Sequence, residues 1–462
     1  MADNLAYVET QVESQAAIRL GQAAPAECGA LAYSVLILAR NEAENLSILL
    51  PQLHTVMYGL NHPYEVIVIV GSSSDNTYEV AGALGAKTFL QQGKGYGAAF
   101  REGLGKCRGE WIITLDADHS HPPQCLRAMV RNTANTDILI GSRYVSGGSA
   151  NMEMYRSLLS KTLSSVFRFV LGVPLKDLSS GFRMYRRREI ERLELSGRDF
   201  DVLIELLVRA VSNGLTVREV PFIYEPRIFG RSNARLFRFA ISYLKTLFKL
   251  WRLRNSVASA DYDERAYNSI IPMQRFWQRA RVRRVLRLCK RDAKTLDVGC
   301  GSSRISRSLP ALIALDRNPA ALRFLSTTGV LTVAGDLHAL PFPSCSFDQV
   351  ILSEVLQQIP RSSHWLSEIT RVLRPQGLLV ISTPDYSSKL WNVIEPIYRW
   401  LLPDAHGKYH ITRYSGDELR QLLIKAGFRI EEQESFLGCE IILRARKERS
   451  DSSVFRGIAC VT

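Results

Sequence analysis

The sequence predicts an α/β protein of two domains. Short apolar runs of strand length alternate with segments of helical character. That alternation occurs twice, on either side of a small polar stretch at residues 255–261. A chain of 462 residues, 46% hydrophobic and 23% charged, can bury two ordinary cores. The expected division is a leader over 1–30, a first domain over 31–254, a linker over 255–275, a second domain over 276–448 and a tail over 449–462.

In the first domain, residues 34–39 read as a strand, followed by Arg40-Asn41-Glu42 and a helix. Residues 64–70 are a second strand that runs into Gly71-Ser72-Ser73-Ser74-Asp75, where Ser74 or Asp75 can cap the next helix. The glycine-rich stretch 92–103 opens a helix start at which backbone N–H groups and Lys94 can face an anion. The apolar run 111–115 then ends in Asp116-Ala117-Asp118, and Pro122 and Pro123 stop the extended segment. Alternation along an extended chain turns Asp116 and Asp118 to one side. Paired carboxylates at a strand end suit Mg²⁺ or Mn²⁺ together with a diphosphate. The same two acids, taken alone, also fit a loop that caps the following helix. Strands alternating with helices make a mostly parallel sheet, with ligands at the strand carboxyl ends.

Seven segments in order carry a resemblance: 35–46, 93–101, 116–123, Ile140-Gly141-Ser142-Arg143-Tyr144, 177–185, 218–222 and 227–233. Over residues 34–253 the chain resembles family 2 glycosyltransferases of the GT-A nucleotide-diphospho-sugar transferase fold. Within them it is most similar to dolichol- and polyprenyl-phosphate mannosyltransferases. The resemblance implies that Asp116 and Asp118 hold the metal and, with Ala117, the donor diphosphate. It implies that Leu38, Arg40, Glu42, Val70, Lys94 and Asn233 contact the nucleotide sugar. Arg143, Arg183 and Arg227 are its phosphate-holding candidates, and Asp118, Arg143 and Arg227 its catalytic ones. A lone arginine in such a loop also commonly meets a nearby carboxylate. The family pattern has Pro and Tyr where this chain has Leu38 and Arg40, an Asp pair at Val70-Gly71, and Lys at Asn233.

Two helices bear on lipid. Residues 155–171 mix apolar residues with Ser, Lys161 and Arg168. In residues 235–254, Leu236, Ala240, Tyr243, Leu244, Leu247 and Trp251 share one face, and Arg238, Lys245, Lys249 and Arg252 the other. The second is expected to lie at a membrane interface or to pack on its own domain. Past the junction, Arg275, Arg279, Arg283, Arg287 and Arg291 recur every fourth residue, with Arg281 and Arg284 between them. This run is a solvated face or a contact for phosphate or anionic lipid.

In the second half, residues 295–298 form a strand ending at Asp297-Val298-Gly299-Cys300-Gly301, and residues 312–315 form a strand ending at Asp316. That is the spacing of a Rossmann-like first unit. With Asp336-Leu337, residues 347–354 and residues 372–381, residues 262–447 resemble a class I S-adenosylmethionine-dependent methyltransferase of the methyltransferase-11 type. The resemblance implies that Asp297, Gly299 and Gly301 cradle the methionine part of S-adenosyl-L-methionine. It puts Asp316 on the ribose and Asp336 and Leu337 by the adenine, with 353–356 as the floor. Ser303 replaces a third glycine, and Gln357-Gln358 stand where a Glu-His pair is common. A general base is absent there, which leaves His338, His364, His406, Tyr409 and His410 as candidates. The aromatic insertion 386–410 is expected to cover the acceptor.

The formal net charge of +14 fits phosphate-bearing substrates or an anionic membrane. Nucleic acid is disfavoured, because no binding motif accompanies the charge. The eight cysteines contain no Cys-x-x-Cys pair, which argues against zinc. No signal pattern opens the chain, and no apolar run reaches the roughly 18 residues of a membrane span. The expectation is a cytoplasmic, bifunctional glycan enzyme, peripheral on the inner face of the membrane. It would use a nucleotide sugar, a polyprenyl-phosphate acceptor and S-adenosyl-L-methionine. Two other readings are a degenerate first domain that serves as a binding module, and a nucleic-acid methyltransferase.

Overall fold

The computed structural model describes residues 31–151, 154–227, 229, 236–362, 364–402, 404 and 410–448. The chain forms two compact units that meet in sequence at Trp251 and Arg252, with residues 212–214 grouped with the second. Each is an α/β domain built around a seven-stranded sheet.

The first sheet uses β1 (Tyr33–Ala39), β2 (Tyr64–Val70), β3 (Lys87–Leu90), β4 (Trp111–Asp116), β5 (Ile138–Ser142), β7 (Arg183–Arg186) and β8 (Val217–Pro221). Two short strands, β6 (Ser149–Ala150) and β9 (Ile223–Tyr224), pair separately. The seven-strand order is β3-β2-β1-β4-β7-β5-β8, parallel except where β7 runs against β4 and β5. β1 and β2 are almost continuously buried, which is why they read as unbroken apolar runs and not as alternating ones.

The second sheet uses β10 (Thr295–Val298), β11 (Leu312–Asp316), β12 (Leu331–Ala334), β13 (Phe347–Ser353), β14 (Leu373–Pro384), β15 (Phe428–Phe436) and β16 (Glu440–Lys447). Its order is β12-β11-β10-β13-β14-β16-β15, with β16 antiparallel to both of its neighbours.

Two elements differ from the sequence reading, and a third follows it except at one residue. Residues 255–275 contain a helix, Tyr262–Tyr267, whose Asp263 accepts the Ser302 N–H at 2.9 Å. This stretch is folded into the second unit, because a buried acid there completes the glycine loop. The helix Leu236–Arg254 divides its apolar residues between two faces. Leu250 is buried, and buried Thr246 donates to Asp201 at 2.7 Å, whereas Leu244 and Phe248 are exposed. Lys249, although exposed, reaches buried Glu205 at 2.9 Å and so ties that face to its own domain. Finally, the arginine ladder of the helix Pro272–Leu288 does lie outward, with Arg275, Arg279, Arg283 and Arg287 all exposed. Arg281 sits two residues out of that register, about 200° round the helix, and is buried.

Candidate active sites

The register of the first sheet aligns three strand ends. Leu38 lies between Ile69 and Asp116, and Ala39 beside Val70. The loops leaving β1, β2 and β4 therefore open on one cleft of about 690 Å³. Leu38, Arg40 and Glu42 line it from the first loop, and Lys94 from the glycine-rich helix start. Asp116, Ala117, Asp118 and Arg227 line its opposite part.

The two acids reach this cleft in different ways. β4 ends at Asp116, and residues 117 and 118 form a turn, so strand alternation does not orient Asp118. The Asp116 carboxylate is 42% exposed to the cleft. Desolvation pushes its pKa up, a nearby His121 opposes that, and the charge of Asp118 adds to it. His121 is itself buried, and its Nδ1 accepts the Asp116 backbone N–H at 2.9 Å. Its Nε2 faces the Asp116 carboxylate at 3.8 Å. Asp118 turns inward: one oxygen accepts the Ser120 hydroxyl at 2.6 Å, and the other meets Arg227 at 2.9 Å. Burial also pushes up Glu42, whose carboxylate accepts from the Asn45 amide.

The other two arginines are not brought to the cleft lining. The guanidinium fork of Arg143 is bidentate on Asp177, at 2.7 and 2.8 Å, and also donates to the Ser179 hydroxyl. Arg183 is wholly buried and donates to the backbone carbonyls of Ser180, Leu203 and Leu178. Its donors are consumed within the fold, on carbonyls of the segment leading into β7 and on that of Leu203. The Val70 side chain is in the core, and Gly71 lines the cleft in its place. Asn233 lies outside the described residues.

The second cleft, of about 380 Å³, opens beyond β10 and β11. Asp297, Gly299, Gly301 and Asp316 line it together with Asp263, Arg281 and Glu354. Gly299 and Gly301 have φ of +67° and +51°. A Cβ on Gly301 would stand 2.4 Å from the Asp263 carboxylate, and one on Gly299 2.4 Å from Val355. Both positions therefore demand glycine. The Gly301 N–H donates to the Asp316 carboxylate at 2.7 Å. Asp297 is buried and accepts the Ser306 hydroxyl at 2.6 Å. Desolvation, less the effect of that bond, pushes it up to about 7.

Asp336 and Leu337 are not brought to this lining. Asp336 accepts from the backbone and ring of His338, and Leu337 is buried in the core with Leu315 and Leu340. Arg317, which does line the cleft, stands 3.6 Å from Asp336. Of the floor residues, Ser353 and Glu354 face the cleft, and Leu356 joins the core. His364 is exposed and stacks near His338, while His406 and Tyr409 lie outside the described residues. His410 lines a smaller adjoining cavity, to which the helix Lys389–Leu401 contributes Trp391 and Tyr398; Trp400 points outward, 80% exposed.

Sequence reasoning missed Asp263 and Arg281, and held Glu354 only as part of the floor 353–356. Arg281 could have been found from its offset within the arginine ladder.

Comparison with known proteins agrees with this division. The model for glycosyl transferase family 2 matches residues 34–193, and a methyltransferase-domain model matches residues 296–381. Dolichol-phosphate mannosyltransferase of Pyrococcus furiosus is 33% identical over 233 residues, covering 48% of this chain and 65% of that protein. Polyprenol monophosphomannose synthase of Mycolicibacterium smegmatis is 35% identical over 213 residues, covering 43% of this chain and 79% of that protein. Among solved structures, glucosyl-3-phosphoglycerate synthase of Mycobacterium tuberculosis with Mn²⁺ and uridine diphosphate matches at 17% identity and a TM-score of 0.39, covering 50% of this chain and 82% of that one. A SAM-dependent methyltransferase of Thermotoga maritima matches at 19% identity and a TM-score of 0.33, covering 38% of this chain and 90% of that one. The chain belongs to glycosyltransferase family 2 through its first domain, and its second is a methyltransferase domain.

Proposed function

We propose that the first domain transfers a hexosyl group from a nucleotide sugar to a polyprenyl phosphate. The second domain, on this reading, methylates a hydroxyl of a product of the same pathway. The observation that carries the first half is the convergence of Asp116, Asp118, Lys94 and Arg227 on one cleft at the strand carboxyl ends. Among the described residues no three His, Cys, Asp or Glu side chains form a metal cage. A cation held by Asp116 and Asp118 would complete its shell with water and donor oxygens, as Mg²⁺ commonly does. Mg²⁺ or Mn²⁺ there supplies positive charge against the leaving diphosphate.

The chain's own residues do the rest. Lys94, at the start of the helix Tyr96–Lys106, offers charge and a helix N-terminus to phosphate oxygens. Arg227 pairs with Asp118, and its guanidinium would be free to hold phosphate if a cation took that carboxylate. His121 fixes Asp116 from behind through its backbone N–H. A phosphate acceptor is already ionised, so no general base is required of the cleft.

In the second domain the fit to S-adenosyl-L-methionine rests on the two forced glycines and on the carboxylates of Asp316 and Asp263 beside them. That cofactor supplies the electrophilic methyl group. The glycine loop lets the backbone approach it, and Asp316 offers its carboxylate to ribose hydroxyls.

Lipid contact is part of the same reading. The helices Met154–Leu171 and Leu236–Arg254 contain no acidic residue. Leu158, Phe169, Leu244 and Phe248 are exposed on them. Among the described residues no helix is long and apolar enough to cross a membrane. Peripheral attachment to an anionic leaflet, on the cytoplasmic side where nucleotide sugars and S-adenosyl-L-methionine are held, fits this pattern.

The test is incubation of the full chain with labelled GDP-mannose, UDP-glucose or UDP-galactose, Mn²⁺ and polyprenyl phosphate. Labelled lipid should form and should vanish in Asp118→Ala. A first domain that binds donors without turnover would instead be a binding module, a reading favoured by the loss of the acidic pair at Val70-Gly71.

A further inference from the structure

We propose that Glu354 is the proton acceptor of the methyl-transfer step, and that the acceptor is a neutral hydroxyl that reaches it by the aromatic cavity alongside. The inference rests on the reading of the second domain as an O-methyltransferase.

Two cavities adjoin in this domain. One is the cofactor cleft behind the glycine loop; the other is walled by Trp277, Trp391 and Tyr398. Three residues line both: Gln278, Arg281 and Glu354. Methyl transfer must occur where the two spaces meet, since the donor lies in one and the acceptor in the other. Of the three shared residues only Glu354 can take a proton near neutral pH, because an amide is not basic and a guanidinium is already protonated.

The local geometry keeps this carboxylate available. Glu354 follows the last residue of β13 with φ +61°, and its N–H is held by the Ser382 carbonyl at 3.0 Å. A non-glycine residue in that conformation costs about 1 kcal/mol or more. One carboxylate oxygen accepts from the Gln357 amide at 3.0 Å and faces Arg281 at 3.6 Å. The other oxygen is buried and has no hydrogen-bond partner among the described residues. The neighbouring groups do not serve as well. Asp263 lines only the cofactor cleft and is engaged by Ser302. Glu440, on β16, is buried and lines neither cavity. His410 lines only the aromatic cavity and bonds Tyr386 at 2.7 Å. Burial pushes the Glu354 carboxyl up and Arg281 opposes it, a direction that makes a stronger base than an exposed glutamate.

The cavity walls indicate the acceptor. The cavity holds about 40 Å³, room for a hydroxyl-bearing edge; the Gln274 amide donates to the Tyr398 hydroxyl at 2.9 Å, and the Gln278 carbonyl accepts from Arg281. The buried Arg281 beside the acid disfavours a cationic ammonium acceptor. In the step, the acceptor O–H gives its proton to Glu354. The oxygen lone pair forms the new bond to the methyl carbon, and the carbon–sulfur bond breaks with its electron pair left on sulfur. The products are the methyl ether, a neutral thioether and a protonated Glu354.

The test uses the full chain, with octyl mannoside, octyl glucoside and octylamine as acceptor probes. E354Q should unfold in urea close to the wild-type midpoint and still bind S-adenosylhomocysteine by calorimetry, which shows that the domain is folded. Transfer from labelled S-adenosylmethionine to an octyl glycoside should fall at least about a hundredfold in E354Q and partly recover in E354D. The ascending limb of the wild-type pH–rate profile should disappear in E354Q. Arg281, Asp263 and Glu440 surround this group, so R281M should move that limb and leave it present. Transfer by E354Q within tenfold of wild type, with the limb intact, would overturn the proton-acceptor role. Methylation of octylamine in preference to the glycosides would overturn the acceptor class. Failure of the wild type to bind S-adenosylhomocysteine would overturn the methyltransferase reading itself.

Discussion

Arg183 and Arg227 stand in the same domain and do opposite work. Arg183 spends its guanidinium on three backbone carbonyls in a fully buried site. Its replacement by Met leaves those carbonyls unpaired, and should cost about 3 kcal/mol or more in urea unfolding. Arg227 is partly exposed over the cleft and holds Asp118. Arg227→Met should leave the unfolding midpoint close to wild type and lower sugar transfer by at least about tenfold, read with labelled donor. The sequence could not separate the two, because each is an arginine inside a motif-like segment. What decides is whether carbonyls or open space surround the guanidinium, and that is a tertiary property. Asp116, Glu42 and Lys94 were legible because each follows a strand or opens a helix, where local pattern and position in the fold coincide.

Among elements, strands were the most legible and helix faces the least. β2 and β10 have the bounds that their apolar runs suggest. The helix Leu236–Arg254 has apolar residues nearly all round, so its period alone does not say which side the domain covers. Burial of Thr246 and Leu250 leaves Leu244 and Phe248 outward, next to a second acid-free helix that exposes Leu158 and Phe169. If this surface meets lipid, Leu158→Asp combined with Phe248→Asp should lower co-sedimentation with phosphatidylglycerol vesicles severalfold. Binding should also weaken as salt rises. A double variant that binds as wild type would leave the two helices without a lipid role.

On the scale of the whole molecule, one buried acid in each unit responds to pH in the opposite sense to the other. In the first, burial alone would raise Glu205. Lys249, the N–H groups of Ser196 and Gly197, and Arg209 outweigh that and hold it at about 2. Its folded pKa lies below the unfolded one, so its contribution is present above about pH 4.5 and is lost as pH falls towards 2. In the second unit Asp297 is pushed up to about 7. The folded protein then holds a proton that the unfolded chain has released. That contribution is full below about pH 4 and is lost as pH rises through 7, by up to about 4 kcal/mol. Glu205→Gln should therefore flatten the acid side of the stability profile, and Asp297→Asn the neutral side, each read by urea unfolding across pH. The two sites should also be separable in function: Asp118→Ala should leave S-adenosylhomocysteine affinity unchanged, and Asp316→Ala should leave sugar transfer unchanged.

The helix Tyr262–Tyr267 sets how much chain a methyltransferase of this kind must carry with it. Its Asp263 fills the space that the absent side chain of Gly301 leaves, and takes the Ser302 N–H. The module is therefore longer at its front than the Rossmann-like unit suggests. A graft, fusion or natural recombination that joined a new partner at residue 276 would inherit the glycine loop without the acid packed against it. In this chain the transferable unit therefore begins ahead of Tyr262.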